Sequence, residues 1–293
     1  MKVGIIGHWG GWHTRELQEA LFRYGVQAPF FDIARLTARL SMRPWLQVDD
    51  EALESYDAIF VRLIPHGSLE QVIFRVDALH RLENAGVRVI NSATAIERTV
   101  DKYYTSALLE DAGLPTPPAM VFEQPDDAMD AFVALGGDVV VKPIFGSLGR
   151  GMVRVSDPDI AHRVFRALEL GRYVYYLQTF VPHNREDLRV FVIGGEAVAG
   201  MIRRGETWKT NVAQGADVAP LRLDAELREL SIRAAQAVSA DYAGVDLLQT
   251  EDGGYTVIEV NGIPGWQGLV KATGIGVADL LAAYVLDQIR GTS

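Results

Sequence analysis

The sequence predicts a mixed α/β and α+β fold, and three observations carry that reading. Strand-like and helix-like stretches alternate over the first ninety residues, which implies a parallel sheet with helical crossovers. Later stretches fall into strand pairs joined by glycine turns, which implies antiparallel pairing. The 293 residues, 48% of them hydrophobic, are too many for one small core and suit two or three packed subdomains.

Residues 3–7 read as a strand, 14–24 as a helix and 26–31 as a strand; 57–61, 68–84 and 87–90 repeat the strand, helix, strand order. Residues 36–51 have no clear period and are expected to form a loop. The pattern breaks near Asn91-Ser92. A helix over 101–111 is then stopped by Gly113-Leu114-Pro115. Residues 119–122 read as a strand, 126–135 as a helix, and the β-branched run 138–142 as a strand. A glycine-rich loop over 145–151 leads into a strand at 152–155, a helix at 158–168 and a strand at 173–180. Residues 188–193 and 197–203 form a hairpin about Gly194-Gly195. Leu223, Leu227, Leu230, Ala234 and Val238 recur at helical spacing, so 223–238 is an amphipathic helix. Residues 244–249 and 255–260 pair through Asp252-Gly253-Gly254, and 277–289 is the last expected helix.

Composition removes several function classes. There is no cysteine, so disulfides, thiolate metal sites and cysteine nucleophiles are excluded. A net charge of −10 argues against a broad nucleic-acid surface but leaves room for nucleotides, which a few converging cations can hold. No apolar run is long enough to cross a bilayer, and the apolar stretch at residues 3–7 is too short for a signal peptide. The expected location is cytoplasmic, with neither nucleic acid nor membrane as a partner. Histidines 8, 13, 66, 80, 162 and 183 show no metal-ligand spacing.

Three groups of residues point to chemistry. A strand delivers Lys142 into a loop holding Gly146, Ser147, Gly149 and Gly151. Glycines let backbone N–H groups approach phosphate oxygens, and a lysine adds a point charge. The segment is not a Walker A motif, and a plain connection after a core strand accounts for it equally well. Asp246, Glu259 and Asn261 sit in otherwise apolar strands, where a carboxylate needs a partner; three oxygen donors on adjacent strands suit Mg²⁺. Arg189, Arg203, Arg204, Lys209 and Asn211 form a basic group able to neutralise a phosphoryl group or orient a carboxylate, although arginines at a hairpin end are ordinarily just solvated. The Gly/Trp/His turn at 7–13 lacks dinucleotide-fingerprint spacing; His8, Trp9 and Trp12 are expected to line a substrate pocket or to form a packed loop. Arg62 ends a strand and either faces an interdomain cleft or makes a buried structural pairing.

The ordered set Asp101-Lys102, Val141-Lys142 with its glycine loop, Gln178-Thr179-Phe180-Val181, Asp187-Leu188-Arg189, Thr210-Asn211, Gly244-Val245-Asp246 and Glu259-Val260-Asn261-Gly262-Ile263-Pro264-Gly265 resembles the ATP-grasp superfamily, and within it the RimK-like α-L-glutamate ligases. The resemblance implies an ATP-grasp fold, an N-terminal parallel α/β domain (1–91) followed by two α+β subdomains (92–175 and 176–293) enclosing ATP. It implies a ligase that converts a carboxylate to an acyl phosphate at the expense of ATP and passes it to an amine, releasing ADP and phosphate. L-Glutamate is the expected amine and a small-molecule carboxylate the acceptor; the cofactors are ATP and Mg²⁺, two ions, with Mn²⁺ as an alternative; the expected assembly is a homo-oligomer, dimer or tetramer.

Carried over by position, Lys102 and Lys142 would hold phosphates and Gly146, Ser147, Gly149 and Gly151 would form a lid. The backbone of Gln178, Thr179, Phe180 and Val181 would meet adenine, with Asp187 near the ribose. Arg189 and Asn211 would stabilise the acyl phosphate, and Asp246, Glu259 and Asn261 would bind metal. Arg203 and Arg204, with Lys209, are the expected substrate-carboxylate cations. Thr179 stands where many relatives have glutamate, and the loop after Asn211 lacks the character of protein-modifying members. Trp266 resembles relatives that add glutamate to tetrahydromethanopterin- or methylofuran-type cofactors, where it would stack on a ring; the plainer reading is a packing tryptophan. Two rivals are a nucleotide-binding sensor without turnover and a glutamate ligase acting on a protein or peptide C-terminus. A nicotinamide-dependent oxidoreductase built on the N-terminal glycines is the third.

Overall fold

The structure, a computed structural model, describes residues 1–146, 149–210 and 215–291. The expectations for Ser147 and Asn211 lie outside the described residues.

The chain opens with β1 (Val3–Ile6), α1 (Trp12–Arg23) and β2 (Phe30–Phe31). Then come β3 (Leu36–Ala38), β4 (Leu46–Val48), β5 (Glu51–Ala52), β6 (Ala58–Val61), α2 (Leu69–Asn84) and β7 (Arg88–Ile90). Strands β2-β1-β6-β7 form the expected parallel sheet. Every residue of β1 and β6 is buried, as parallel strands covered on both faces must be. Gly4 is required there, because a Cβ would come 2.6 Å from the Phe31 ring. Ser68 and Gln71 form a capping box that starts α2 where the sequence places it. The expected loop at 36–51 is instead the three-stranded antiparallel sheet β3-β4-β5. Its strands are too short to show a period, and part of its hold comes from Glu54, whose carboxylate accepts from Trp45 N (2.5 Å) and Leu46 N (3.1 Å).

Next are α3 (Ala93–Val100), α4 (Lys102–Asp111), β8 (Ala119–Phe122), α5 (Ala128–Ala134), β9 (Val139–Val141), β10 (Val153–Val155), α6 (Pro158–Leu170) and β11 (Tyr175–Thr179). The antiparallel sheet β10-β9-β11-β8 packs on α5 and α6 through Phe132, Val141, Phe165 and Tyr175. The expected subdomain limit at 175/176 cuts β11. Leu109 and Leu114, around the end of α4, belong to the core of the following subdomain.

The remaining elements are β12 (Glu186–Ile193), β13 (Glu196–Arg204), β14 (Asp217–Leu221), α7 (Ala225–Ala237), β15 (Tyr242–Gln249), β16 (Tyr255–Asn261), α8 (Gln267–Thr273) and α9 (Val277–Gly291). They build the antiparallel sheet β14-β13-β12-β15-β16. Gly194 (φ 58°) and Gly195 (φ 83°) make the two-residue turn between β12 and β13. Both faces of this sheet are covered. Val190 and Val192 pack toward α7, whereas Phe191 and Ile193 join a core shared with α9, α1 and the first sheet. Among the described residues no single helix is long and apolar enough to cross a membrane; α8 and α9 pass such a test only as a pair bent by 114°, and their apolar residues Leu269, Val277, Leu281 and Val285 are buried in that shared core.

Candidate functional site

A cleft enclosing about 1050 Å³, open to solvent, lies between the central sheet, α4 and strands β12–β16. It is lined by Lys102, Lys142, Gly146, Gly149, Gln178, Thr179, Phe180, Val181, Asp187, Arg203, Lys209, Asp246 and Glu259. Most of the residues selected from sequence therefore meet at one place.

On its central-sheet wall, Lys142 and Val140 share a face with Tyr176 and Gln178, since strands β9 and β11 are antiparallel and in register there. Lys142 donates to Gln178 Oε1 at 2.5 Å. Burial pulls its pKa down to about 8, against the field of Glu259 and helped by that of Lys102. Lys102 donates to Gly146 O at 2.8 Å and stands 3.9 Å from Glu259 Oε1. Gly149 (φ 68°) and Gly151 (φ 75°), the glycines expected in a lid, occupy conformations open chiefly to glycine. The Thr179 side chain leaves the cleft and donates to Leu135 O at 3.3 Å. The change from glutamate at this position therefore leaves the backbone facing the cleft intact.

On the opposite wall, Asp246 is gripped by Arg189 through two bonds of 2.7 Å and by Arg203 at 3.1 Å. Arg203 in turn holds Asp187 through bonds of 2.5 and 2.6 Å, and Thr210 donates to Asp187 at 2.5 Å. Burial holds the Asp187 carboxyl above its ordinary pKa despite Arg203. Burial also acts on Asp246, but Arg189 and Arg203 outweigh it and hold that pKa low. Asp246 and Asp187 likewise outweigh burial at Arg203 and push its pKa up. Asp187, expected near a ribose, has its carboxylate engaged with Arg203 and Thr210.

Two β-bulges create this arrangement. In β12–β13 the register shifts between Phe191 and Val192, setting Asp187 opposite Arg203; unshifted, Asp187 would face Ile202. In β15–β16 a shift at Asp246/Leu247 sets Asp246 opposite Glu259 and leaves Ile258 extra. An unshifted ladder would put Glu259 on the other face.

The oxygen donors of Asp246, Glu259 and Asn261 are of the hard type Mg²⁺ takes. Asn261 Nδ2 donates to Gly244 O (3.2 Å) and Asp246 Oδ2 (3.3 Å), leaving its amide oxygen for a ligand. Asp246 Oδ1 accepts one bond, from Arg189, and keeps a lone pair. The set thus fits Mg²⁺. Among the described residues no cluster of three His, Cys, Asp or Glu offers another metal site.

Three expected substrate contacts are corrected. Arg204 points away from the cleft, is exposed and pairs with Glu186 at 2.5 Å, because neighbours in a strand face opposite sides. Arg203 is inside, but its charge is already met by two carboxylates. Trp266 is fully buried against Phe191, Trp12 and His13, so the packing reading holds and no ring face is free to stack on a ligand. Arg62 makes the structural pairing: its guanidinium lies 4.4 Å from the Trp266 ring centroid and donates to Tyr242 OH (2.8 Å) and Pro264 O (2.7 Å). His13 accepts from Trp266 N at 3.1 Å, and burial, with Arg62, lowers its pKa to about 4. Trp9 is exposed at the start of the same turn. Sequence reading assigned no role to Arg150, His183, Trp208 or the bulged Ile258, which also line the cleft, and quoted Thr210, another lining residue, only as the neighbour of Asn211.

Two family models cover the chain: the RimK PreATP-grasp domain matches residues 1–96 and the RimK-like ATP-grasp domain residues 99–285. The chain is 32% identical to the tetrahydromethanopterin:alpha-L-glutamate ligase of Methanocaldococcus jannaschii, over 99% of this chain and 100% of that protein. It is 34% identical to the alpha-aminoadipate–LysW ligase LysX of Saccharolobus solfataricus, over 71% and 78%. Among solved structures, the ATP-grasp ligase PsnB complexed with minimal precursor, Mg and ADP superposes with a TM-score of 0.77 at 21% identity, covering 98% of each chain.

Proposed function

Because the chain belongs to the RimK-like ATP-grasp family of ligases, we propose that it adds L-glutamate to a small, cofactor-like carboxylate through an acyl phosphate, with pterin- and furan-type cofactor acids the first acceptors to consider. The carrying observation is that Lys102, Lys142, Gly146, Gly149, Asp246 and Glu259 line one cleft, the combination phosphoryl transfer needs for positioning and charge neutralisation.

In this reading Lys102 and Lys142 hold the phosphates and the lid backbone covers them. The acceptor carboxylate attacks the γ-phosphorus and ADP leaves; the glutamate amine then attacks the acyl carbon, phosphate leaves, and the amine gives up a proton. Arg189 and Arg203 orient Asp246, while Lys209 stands ready to offset the developing charge. Asp246, Glu259 and Asn261 would hold Mg²⁺, which when bound offsets phosphate charge. Two ions, replaceable by Mn²⁺, a dimeric or tetrameric assembly and a cytoplasmic location complete the proposal.

The test is product mass spectrometry after incubation with Mg-ATP, L-glutamate and separate acceptors: pterin and furan cofactor acids and a glutamate-ending peptide. A glutamate-sized mass gain on a cofactor acid, matched by ADP, is expected. Gain only on the peptide would replace the acceptor class, and ADP without any adduct would remove glutamate as the amine.

A further inference from the structure

Asn91 follows directly on β7 and is fully buried, and its side chain reaches out of the first sheet to another part of the molecule. Its Oδ1 accepts from Asp241 N (2.7 Å) and Tyr242 N (3.1 Å), and its Nδ2 donates to Tyr242 O (2.7 Å) and Gly262 O (2.5 Å). A carboxamide has two N–H donors and an oxygen with two lone pairs, so these four main-chain bonds saturate it and fix its orientation.

The partners lie where the β15–β16 ladder runs out. Its end pair is Gly244 with Asn261. Beyond that pair the Asn91 side chain takes the place of ladder bonds, joining Tyr242 on β15 to Gly262, the residue after β16. Gly262 is confined from a second side by α3, where a Cβ on Gly262 would lie 2.3 Å from Thr99 Oγ1. One segment, 91–99, thus pins the residue next to Asn261. The Asn261 side chain itself is held by longer bonds, 3.2 and 3.3 Å. The aim of its amide oxygen therefore follows from its backbone.

We propose that Asn91 is a positioning residue for the metal site: by tying Gly262 O to the start of β15, it sets the backbone from which Asn261 presents its amide oxygen. This rests on Asp246, Glu259 and Asn261 holding the metal. Asp246 has its own supports in Arg189 and Arg203, from within the same sheet. Groups that aim a ligand without touching the metal change metal affinity about 10- to 100-fold when lost.

The experiment titrates Mn²⁺ into the protein–ADP complex, read by loss of the free-ion electron paramagnetic resonance signal, with metal-free ADP affinity measured alongside by calorimetry. Asn91→Asp keeps the shape and the two bonds from β15 N–H groups, but a carboxylate cannot donate to Gly262 O. It should bind Mn²⁺ about tenfold more weakly, although its negative charge alone would favour the cation, and metal-free ADP affinity should stay at the wild-type value. In an Asn261→Ala background the same change should cost nothing further, because both act through one ligand. Asn91→Ser, which lets water meet the freed main-chain groups, should show the same pattern and serves if the aspartate variant does not fold. Wild-type Mn²⁺ affinity in the variant would overturn the proposal. So would an equal loss in the Asn261→Ala background, or a parallel loss of metal-free ADP binding, either of which would make Asn91 a general brace between the sheets. A wild-type ADP complex that takes up no Mn²⁺ would instead remove the metal assignment beneath the proposal, an outcome distinct from unchanged affinity in the variant.

Discussion

The two walls of the cleft treat their charges differently. On the β12–β16 wall, Asp187, Arg203, Asp246 and Arg189 satisfy one another in a closed, nearly neutral chain. On the central wall, among the described residues, Lys142 is desolvated with only an amide bonded to it, and Gln178 keeps a donor unpaired. One wall is held in place before any ligand arrives; the other is left incomplete for the ligand to finish. Preorganised charge is what catalysis needs where the reaction's charge develops, whereas unmet donors give selectivity where a substrate is recognised.

The sharpest way to break the comparison is within the first wall. Asp246→Asn should reduce ADP formation by more than about 1000-fold and also destabilise the fold by about 3 kcal/mol in urea unfolding, since it leaves buried guanidinium charge unmatched. Glu259→Gln should cost similar activity with little change in stability, because among the described residues Glu259 is held only by Lys102 at 3.9 Å, and it is partly exposed. Equal stability losses would erase the distinction between a carboxylate that holds the wall and one that only serves the reaction.

Asp187→Asn is expected to lower kcat roughly 10- to 100-fold while leaving the ratio of ATP to 2′-deoxy-ATP affinity unchanged, because its carboxylate positions Arg203. Loss of that ratio would return Asp187 to the ribose.

On the second wall, the proposed phosphate role of Lys142 predicts that ATP affinity falls by up to about tenfold from pH 7 to pH 9, as its charge is lost through a pKa of about 8. Lys142→Arg should flatten the profile. The stability of the unliganded protein runs the other way. The unfolded chain keeps this proton up to about pH 10.5, so the group adds stability as pH rises from about 8. Smallest of all, Arg204→Ala should leave kcat and KM within about twofold and stability within about 0.5 kcal/mol, as an exposed pair contributes little.

How much of this could be read in advance depended on the range of each signal. Alternation made the parallel sheet legible, and glycine turns made both hairpins legible, because those signals are local. Helices α3 and α8 have only 8 and 7 residues and escaped, as did the two- and three-residue strands of the small sheet. The motif order gathered the right lysines and carboxylates, but the sequence could not say that Asp187 faces Arg203. Counting back from the Gly194-Gly195 turn gives Ile202 instead, and the register is corrected only by a bulge that leaves no mark in residue types. The same holds for Glu259 and Asp246. Trp266 next to a metal-ligand motif suggested a ligand contact; burial by Phe191, Trp12 and His13 is a tertiary fact with no local pattern.

The core shared by α1 and α9 bears on how the protein is made. Leu17, Ala20 and Leu21 on α1 lie in one buried cluster with Val277, Leu281 and Val285 on α9, and Arg23 bonds Asp279 across the same contact. During synthesis the first sheet can pair its strands early, since β1, β2, β6 and β7 all precede residue 91. The part of the α1 face that packs on α9, however, stays open until α9 has left the ribosome, some 250 residues later. A nascent chain stalled before that point would carry an adhesive surface, and holdase chaperones should bind such intermediates until the last helix closes them.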